Sequence, residues 1–177
     1  MEEKEIGKKY NCNVILCGPA VGKTYLASID NRFIDIDHER AKYKYNLYSK
    51  NDVEFESTKA DRGKTINKDY NEFTIKLLKK TIKENKIALI SYQKEILDYI
   101  LDNNIKYCLV YADLSARNEY IKRMKNRGNN DKFISEMTNI ESWNKFYINN
   151  ECDNKATYKI KLKNNEYLSD YKDYFIH

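Results

Sequence analysis

Proline and glycine are scarce in this chain: one proline and five glycines in 177 residues. No Pro- or Gly-rich stretch therefore marks a linker, and no repeat or second domain is evident. The cysteines, Cys12, Cys17, Cys108 and Cys152, include no C-x-x-C pair, and there are only two histidines. That argues against a zinc site. No apolar run approaches 18 residues and no signal peptide precedes the first polar stretch, so the expectation is a reduced, cytoplasmic protein with no membrane span. The net charge of +5 is a mild excess with no clustered basic stripe. It suits anionic small ligands better than duplex DNA. With 41% hydrophobic and 33% charged residues, the chain reads as globular, and its length suits one domain spanning residues 1–177.

What is present is an alternation of short apolar runs with helical spacings. Val14–Cys17, Phe33–Ile36, Ile87–Ile90 and Tyr107–Tyr111 are continuous apolar or near-apolar runs. Such runs fit parallel strands covered on both faces. Tyr158, Ile160 and Leu162 alternate with lysines, the pattern of an edge strand. Between them lie three helical stripes: Phe73, Leu77, Leu78 and Ile82; Ile96, Leu97, Ile100 and Leu101; and Phe133, Met137, Ile140 and Tyr147, with Trp143 or Phe146 filling the gap. Strands alternating with helices predict an α/β fold with a parallel sheet. Residues 42–67 are polar and weakly periodic, and are expected to form a loop-rich insertion over the site.

The segment "NVILCGPAVGKTYLA", residues 13–27, carries the strongest chemical signal. The pattern G-x-x-x-x-G-K-[ST] makes a phosphate loop when a strand precedes it and a helix follows. Both contexts are expected here, but Cys17 stands where the first glycine belongs. The loop cradles phosphates with backbone N–H groups, so Gly18, Pro19, Ala20, Val21 and Gly22, with Lys23, Thr24 and Tyr25, are the candidate ATP-binding residues. Lys23 would reach the β- and γ-phosphates and Thr24 would offer its hydroxyl to Mg²⁺. In this segment the chain resembles the P-loop kinases of small molecules, the group holding adenylate, shikimate, gluconate and nucleoside kinases. That resemblance implies a P-loop NTPase fold: a three-layer α/β sandwich with five parallel strands in the order 2-3-1-4-5.

A second segment, "FIDIDHERA", places Asp35 and Asp37 two apart at a strand end, followed by Arg40. In an open α/β sheet, ligands bind beyond the carboxyl ends of the strands. A similar D-x-D in shikimate and gluconate kinases touches the acceptor or its metal. Asp37-His38-Glu39-Arg40-Ala41 is also similar to the Asp-x-x-Arg-Ala of adenylate kinases, whose arginine grips an acceptor phosphate. Asp35 or Asp37 thus stands as metal ligand or base, and Arg40 as an anion ligand. Arg62, in the insertion, is a second acceptor-phosphate candidate.

A third segment runs from Tyr111 to Gly128. Asp113 or Ser115 caps a helix that carries Tyr120, Ile121 and Met124 inward. Arg123 and Arg127 lie four apart, on one helical face. Small P-loop kinases often have R-x-x-x-R at the start of a mobile lid, where the arginines clamp ATP. The resemblance implies that role for Arg123 and Arg127 and a short lid over about residues 123–133. Arg117 is a weaker candidate one turn or more earlier. The chain is also similar to small kinases encoded by bacteriophages in its Arg127-Gly128-Asn129, its Trp143 and its "EYLSDY" at residues 166–171.

Two departures from the family stand out. The third strand ends in Ser91-Tyr92-Gln93, with no carboxylate where many P-loop enzymes hold Mg²⁺ through water. The Asp-Gly-x-Pro-Arg segment of adenylate kinases is absent. The expected activity is Mg²⁺-dependent transfer of the ATP γ-phosphate to a small acceptor, first a (deoxy)nucleoside monophosphate. A hydroxyl acceptor (a nucleoside, a small metabolite or a polynucleotide 5′-OH) and a non-catalytic nucleotide-binding regulator are the alternatives.

Overall fold

The computed structural model describes residues 9–37, 43–45, 62–66 and 68–176, with 43–45 and 62–66 described by backbone alone. In chain order the strands are β1 (Val14–Cys17), β2 (Phe33–Asp35), β3 (Tyr43–Tyr45), β4 (Arg62–Ile66), β5 (Ile87–Ser91), β6 (Tyr107–Ala112) and β7 (Tyr158–Leu162). The helices are α1 (Lys23–Ile29), α2 (Tyr70–Lys83), α3 (Lys94–Asp102), α4 (Arg117–Asn126), α5 (Asp131–Thr138) and α6 (Ile140–Glu151).

Five strands pair in parallel in the order β2-β5-β1-β6-β7. Counted along the chain within that sheet, the order is 2-3-1-4-5, as expected. β1 is central, with Val14 in register with Ala88 on one side and Tyr107 on the other.

Alternate residues of these strands feed two apolar cores. Ile15, Cys17, Leu89, Cys108 and Val110 face one, with Leu26 of α1 and Tyr120 and Met124 of α4. Val14, Leu16, Ala88, Ile90 and Leu109 face the other, with Leu78 of α2 and Ile96, Leu97 and Ile100 of α3. Helices therefore cover both faces of the sheet. This is why the inner strands read as unbroken apolar runs rather than alternating ones. β7 pairs with β6 at the edge, and there the alternation reappears, with Ile160 and Leu162 buried. Cys12, Cys17 and Cys108 are small core residues; burial pushes the Cys17 thiol up to about 11 and the Cys12 thiol to about 12.

Two sequence expectations are corrected. In α2, Leu77, Leu78 and Ile82 of the expected stripe pack on the core, but Phe73 is 42% exposed and Tyr70, Thr74 and Thr81 join the buried line instead. The two threonines there are inward polar residues that an apolar stripe does not mark. The stripe expected over Phe133–Tyr147 is broken at Asn139, whose ψ of 153° is not helical. Its side chain accepts from the Ser142 N–H at 2.9 Å and starts α6 afresh, leaving Ile140 67% exposed. Within residues 42–67, expected as a loop-rich insertion, the described residues form an antiparallel pair, β3 and β4, with Tyr45 opposite Arg62. A three-residue strand is too short to show period-2 patterning.

Candidate functional site

β1 delivers residues 18–22 to the carboxyl edge of the sheet, and α1 leaves from there. Cys17 ends β1 as a regular strand residue, and its thiol donates to the Ile90 carbonyl at 3.8 Å. The missing glycine is tolerated because the left-handed backbone falls later, at Ala20 (φ 60°) and Gly22 (φ 94°). Gly22 is the N-cap of α1 and provides no side-chain cap. The first-turn amides of a helix have no intrahelical acceptor, so they are left for another partner.

Four of the expected residues converge at this edge. Thr24 donates its hydroxyl to Asp35 Oδ2 at 2.8 Å. Lys23 Nζ donates to Ser91 Oγ at 2.9 Å and lies 3.6 Å from Asp37 Oδ2. Ser91 in turn donates to Asp37 Oδ2. The Tyr70 hydroxyl donates to Asp37 Oδ1 at 3.0 Å, and Gln93 Nε2 donates to that hydroxyl at 3.3 Å. Burial first, and the Asp37 charge second, push the Tyr70 hydroxyl up to about 12, so it stays a proton donor across the physiological range. The Asp37 N–H donates to Asp35 Oδ1 at 3.2 Å, an Asx-type bond that turns the chain as it leaves β2. The two carboxylates thus have separate partners: Asp35 the threonine, Asp37 the lysine, serine and tyrosine.

Thr24 and Asp35 bring a hydroxyl and a carboxylate together, an oxygen donor set that fits Mg²⁺. That ion takes one or two protein carboxylates, with phosphates and water completing its shell. No group of three or more His, Cys, Asp or Glu side chains that could cage a metal occurs among the described residues.

Tyr25 is 61% exposed, next to Thr24. Arg123 and Arg127 do not share one environment: Arg123 is buried in the α4 face that packs on the core, while Arg127 is the exposed C-cap residue. The expected lid over residues 123–133 consists of the end of α4, a four-residue connection from Arg127 to Asn130, and the first turn of α5. Arg117 is structural, its Nε donating to the Thr138 carbonyl. Arg40 lies outside the described residues, and Arg62 is described only as backbone in β4.

Three participants escaped the sequence reading: Ser91, Tyr70 and Gln93. Ser91 carried a signal, as the first polar residue at the carboxyl end of a buried strand, where ligands of open α/β sheets sit. Tyr70 carried none. Residues 18–21 pack against the helices α4–α6. Pro19, Val21, Met137, Trp143 and Phe146 line a space of about 20 Å³ there, enough for one water at most.

No helix among the described residues is long and apolar enough to cross a membrane. No protein-family model matches the sequence, and no curated protein matches it.

Proposed function

We propose that the chain is a P-loop kinase: an ATP-dependent phosphotransferase, one domain acting in the cytoplasm, that moves the γ-phosphoryl group of Mg-ATP to a small acceptor. The observation that supports it is the convergence of Lys23, Thr24, Asp35 and Asp37 where the glycine-bearing loop meets α1. Lys23 reaches the β- and γ-phosphates, leaving Asp37 while one of its three N–H donors stays on Ser91. Thr24 and Asp35 would hold Mg²⁺, which would supply charge neutralisation at the phosphates. Arg127, exposed at the end of α4, is the arginine free to reach a nucleotide phosphate.

A (deoxy)nucleoside monophosphate is the first acceptor, on the strength of Arg40 and Arg62 in the sequence. In the transfer, an acceptor oxygen bonds to the γ-phosphorus as the bond to the β,γ-bridging oxygen breaks and ADP leaves. A phosphate acceptor is already ionised and loses no proton. A hydroxyl acceptor is the second reading. It is favoured by Asp37, which already accepts from two hydroxyls, those of Ser91 and Tyr70, beside the lysine. There the acceptor proton passes to Asp37.

The test is ADP release from Mg-ATP across nucleosides, their monophosphates and a 5′-OH oligonucleotide, with Lys23→Ala as control. Acceleration by a monophosphate, lost in the variant, supports the first reading; acceleration by a hydroxyl compound supports the second. ATP binding with no acceleration by any acceptor overturns the kinase in favour of a nucleotide-binding regulator.

A further inference from the structure

Arg123 was expected to clamp a phosphate, yet it is only 6% exposed. Its guanidinium is held on several sides. Nε donates to Glu119 Oε1 at 3.1 Å, within α4. Nη1 donates to the Glu166 carbonyl at 3.0 Å, across to the turn that follows β7. The guanidinium carbon stands 3.8 Å from the centre of the Tyr167 ring and 5.0 Å from that of Tyr120, in cation–π contact with the first and closing on the second. Nη2 is buried without a partner among the described residues. A buried cation with one donor unmatched is an expensive group to keep for packing alone.

What the arginine holds is the turn that supports the loop. A Cβ added at Gly22 would meet Tyr167 Cδ1 at 3.4 Å, so the tyrosine ring lies directly against the glycine before Lys23. The Leu168 N–H donates to the Val21 carbonyl at 3.0 Å. The turn is itself pinned: Glu166 Oε2 accepts from the Lys163 N–H at 2.8 Å and from the Tyr171 hydroxyl at 3.0 Å, and Asp170 Oδ2 accepts from the Tyr167 N–H at 2.8 Å. A continuous chain of contacts thus runs from α4 through Arg123, Glu166 and Tyr167 to Val21 and Gly22.

We propose that Arg123 is a positioning residue for nucleotide binding, acting through Glu166 and Tyr167 on the backbone of Val21 and Gly22 without touching the nucleotide. This rests on the phosphate-loop reading for its purpose, but its mechanical part stands without any nucleotide. Lysine cannot replace the arginine here: an ammonium has no planar fork to bond Glu119 and Glu166 at once while lying flat on Tyr167. Leucine at 167 removes the ring that carries the contact to Gly22, and phenylalanine keeps it.

The experiment uses the full chain without nucleotide and then with ATP. Amide hydrogen exchange over residues 18–24 and the Kd for ATP are measured for wild type, Arg123→Lys, Tyr167→Leu, Tyr167→Phe and the Arg123→Lys/Tyr167→Leu double variant. The expected result is faster loop exchange and affinity weakened about tenfold in each of the first two single variants, with the double no worse than either, as for residues acting through one path. Tyr167→Phe restores the protection that leucine loses. Additive losses in affinity with unchanged loop exchange overturn the proposal, since Arg123 then contacts the nucleotide itself. Unchanged exchange in every variant overturns it as well. Should Arg123→Lys fail to fold, the Tyr167→Leu and Tyr167→Phe pair decides, because that side chain is 38% exposed and its truncation opens no deep cavity. Absence of ATP binding by wild type sinks the kinase reading alone, and the exchange data still judge the positioning role.

Discussion

The Ser91 hydroxyl accepts a hydrogen bond from Lys23 at 2.9 Å and donates one to Asp37. It stands where a carboxylate is common in P-loop enzymes, at the end of the strand beside β1. It supplies a neutral oxygen that aims the ammonium and keeps it from collapsing fully onto Asp37, 3.6 Å away. Ser91→Ala removes the aim and leaves the charge. A hydrogen bond to a charged group contributes about 1.5–3 kcal/mol, so turnover is expected to fall at least about tenfold. Steady-state kinetics against Mg-ATP check this; a variant as fast as wild type would remove Ser91 from the site.

Asp37→Asn separates the two acceptor readings. The amide keeps the shape of the carboxylate and can still accept from Tyr70, but it cannot take a proton. With a hydroxyl acceptor, loss of a general base costs on the order of 100- to 10,000-fold in rate. With a monophosphate acceptor the loss is far smaller, since no proton is transferred. The measurement is kcat on whichever acceptor accelerates ADP release, wild type beside variant.

The sheet was legible because its signal is local and redundant: four apolar runs, each four or five residues long, could be placed without knowing their neighbours. The strand order came with the resemblance and agrees with the observed β2-β5-β1-β6-β7. Lys23, Thr24, Asp35 and Asp37 were legible as residue types at a strand exit. Their division of labour was not, because it depends on Ser91 and Tyr70, which are 68 and 47 residues distant from Lys23 in sequence and meet it only through the sheet. The burial of Arg123 was not legible for a related reason. A four-residue spacing puts two arginines near one helical face, but which of them is covered depends on Tyr167, far along the chain.

Gly22 and Gly128 both have positive φ, 94° and 72°, but only one bears on the site. Alanine at either position is expected to cost roughly 1–2 kcal/mol for the left-handed backbone. At Gly128 an added Cβ meets nothing within 4 Å among the described residues, so the penalty stops there. At Gly22 it comes into contact with the Tyr167 ring at 3.4 Å, and the left-handed strain falls within the loop itself. Urea melts should therefore show both variants destabilised, while ATP affinity falls in Gly22→Ala and not in Gly128→Ala. Equal affinities for the two variants would separate Gly22 from nucleotide binding.

Alkaline pH should unfold this protein sooner than acid-side electrostatics would suggest. Burial raises Cys17 from 9.0 to about 11, Cys12 from 9.0 to about 12 and Tyr70 from 10.0 to about 12, and pushes Cys108 and Tyr120 up in the same direction. For a group whose folded value is raised, the unfolded chain loses its proton first. Its stabilising contribution is whole below the unfolded value and drains away as pH rises through the folded one. The window therefore opens near pH 9 for the thiols and near pH 10 for the tyrosines. Each group held protonated lowers stability by roughly 1.4 kcal/mol per pH unit within its window. Urea midpoints at pH 7, 8, 9, 10 and 10.5 should be level up to about pH 8.5 and then fall steeply. A midpoint that stays constant to pH 10.5 would mean that water reaches these thiols and hydroxyls, and that the core holding Cys12, Cys17, Cys108 and Tyr120 is less closed than its packing implies.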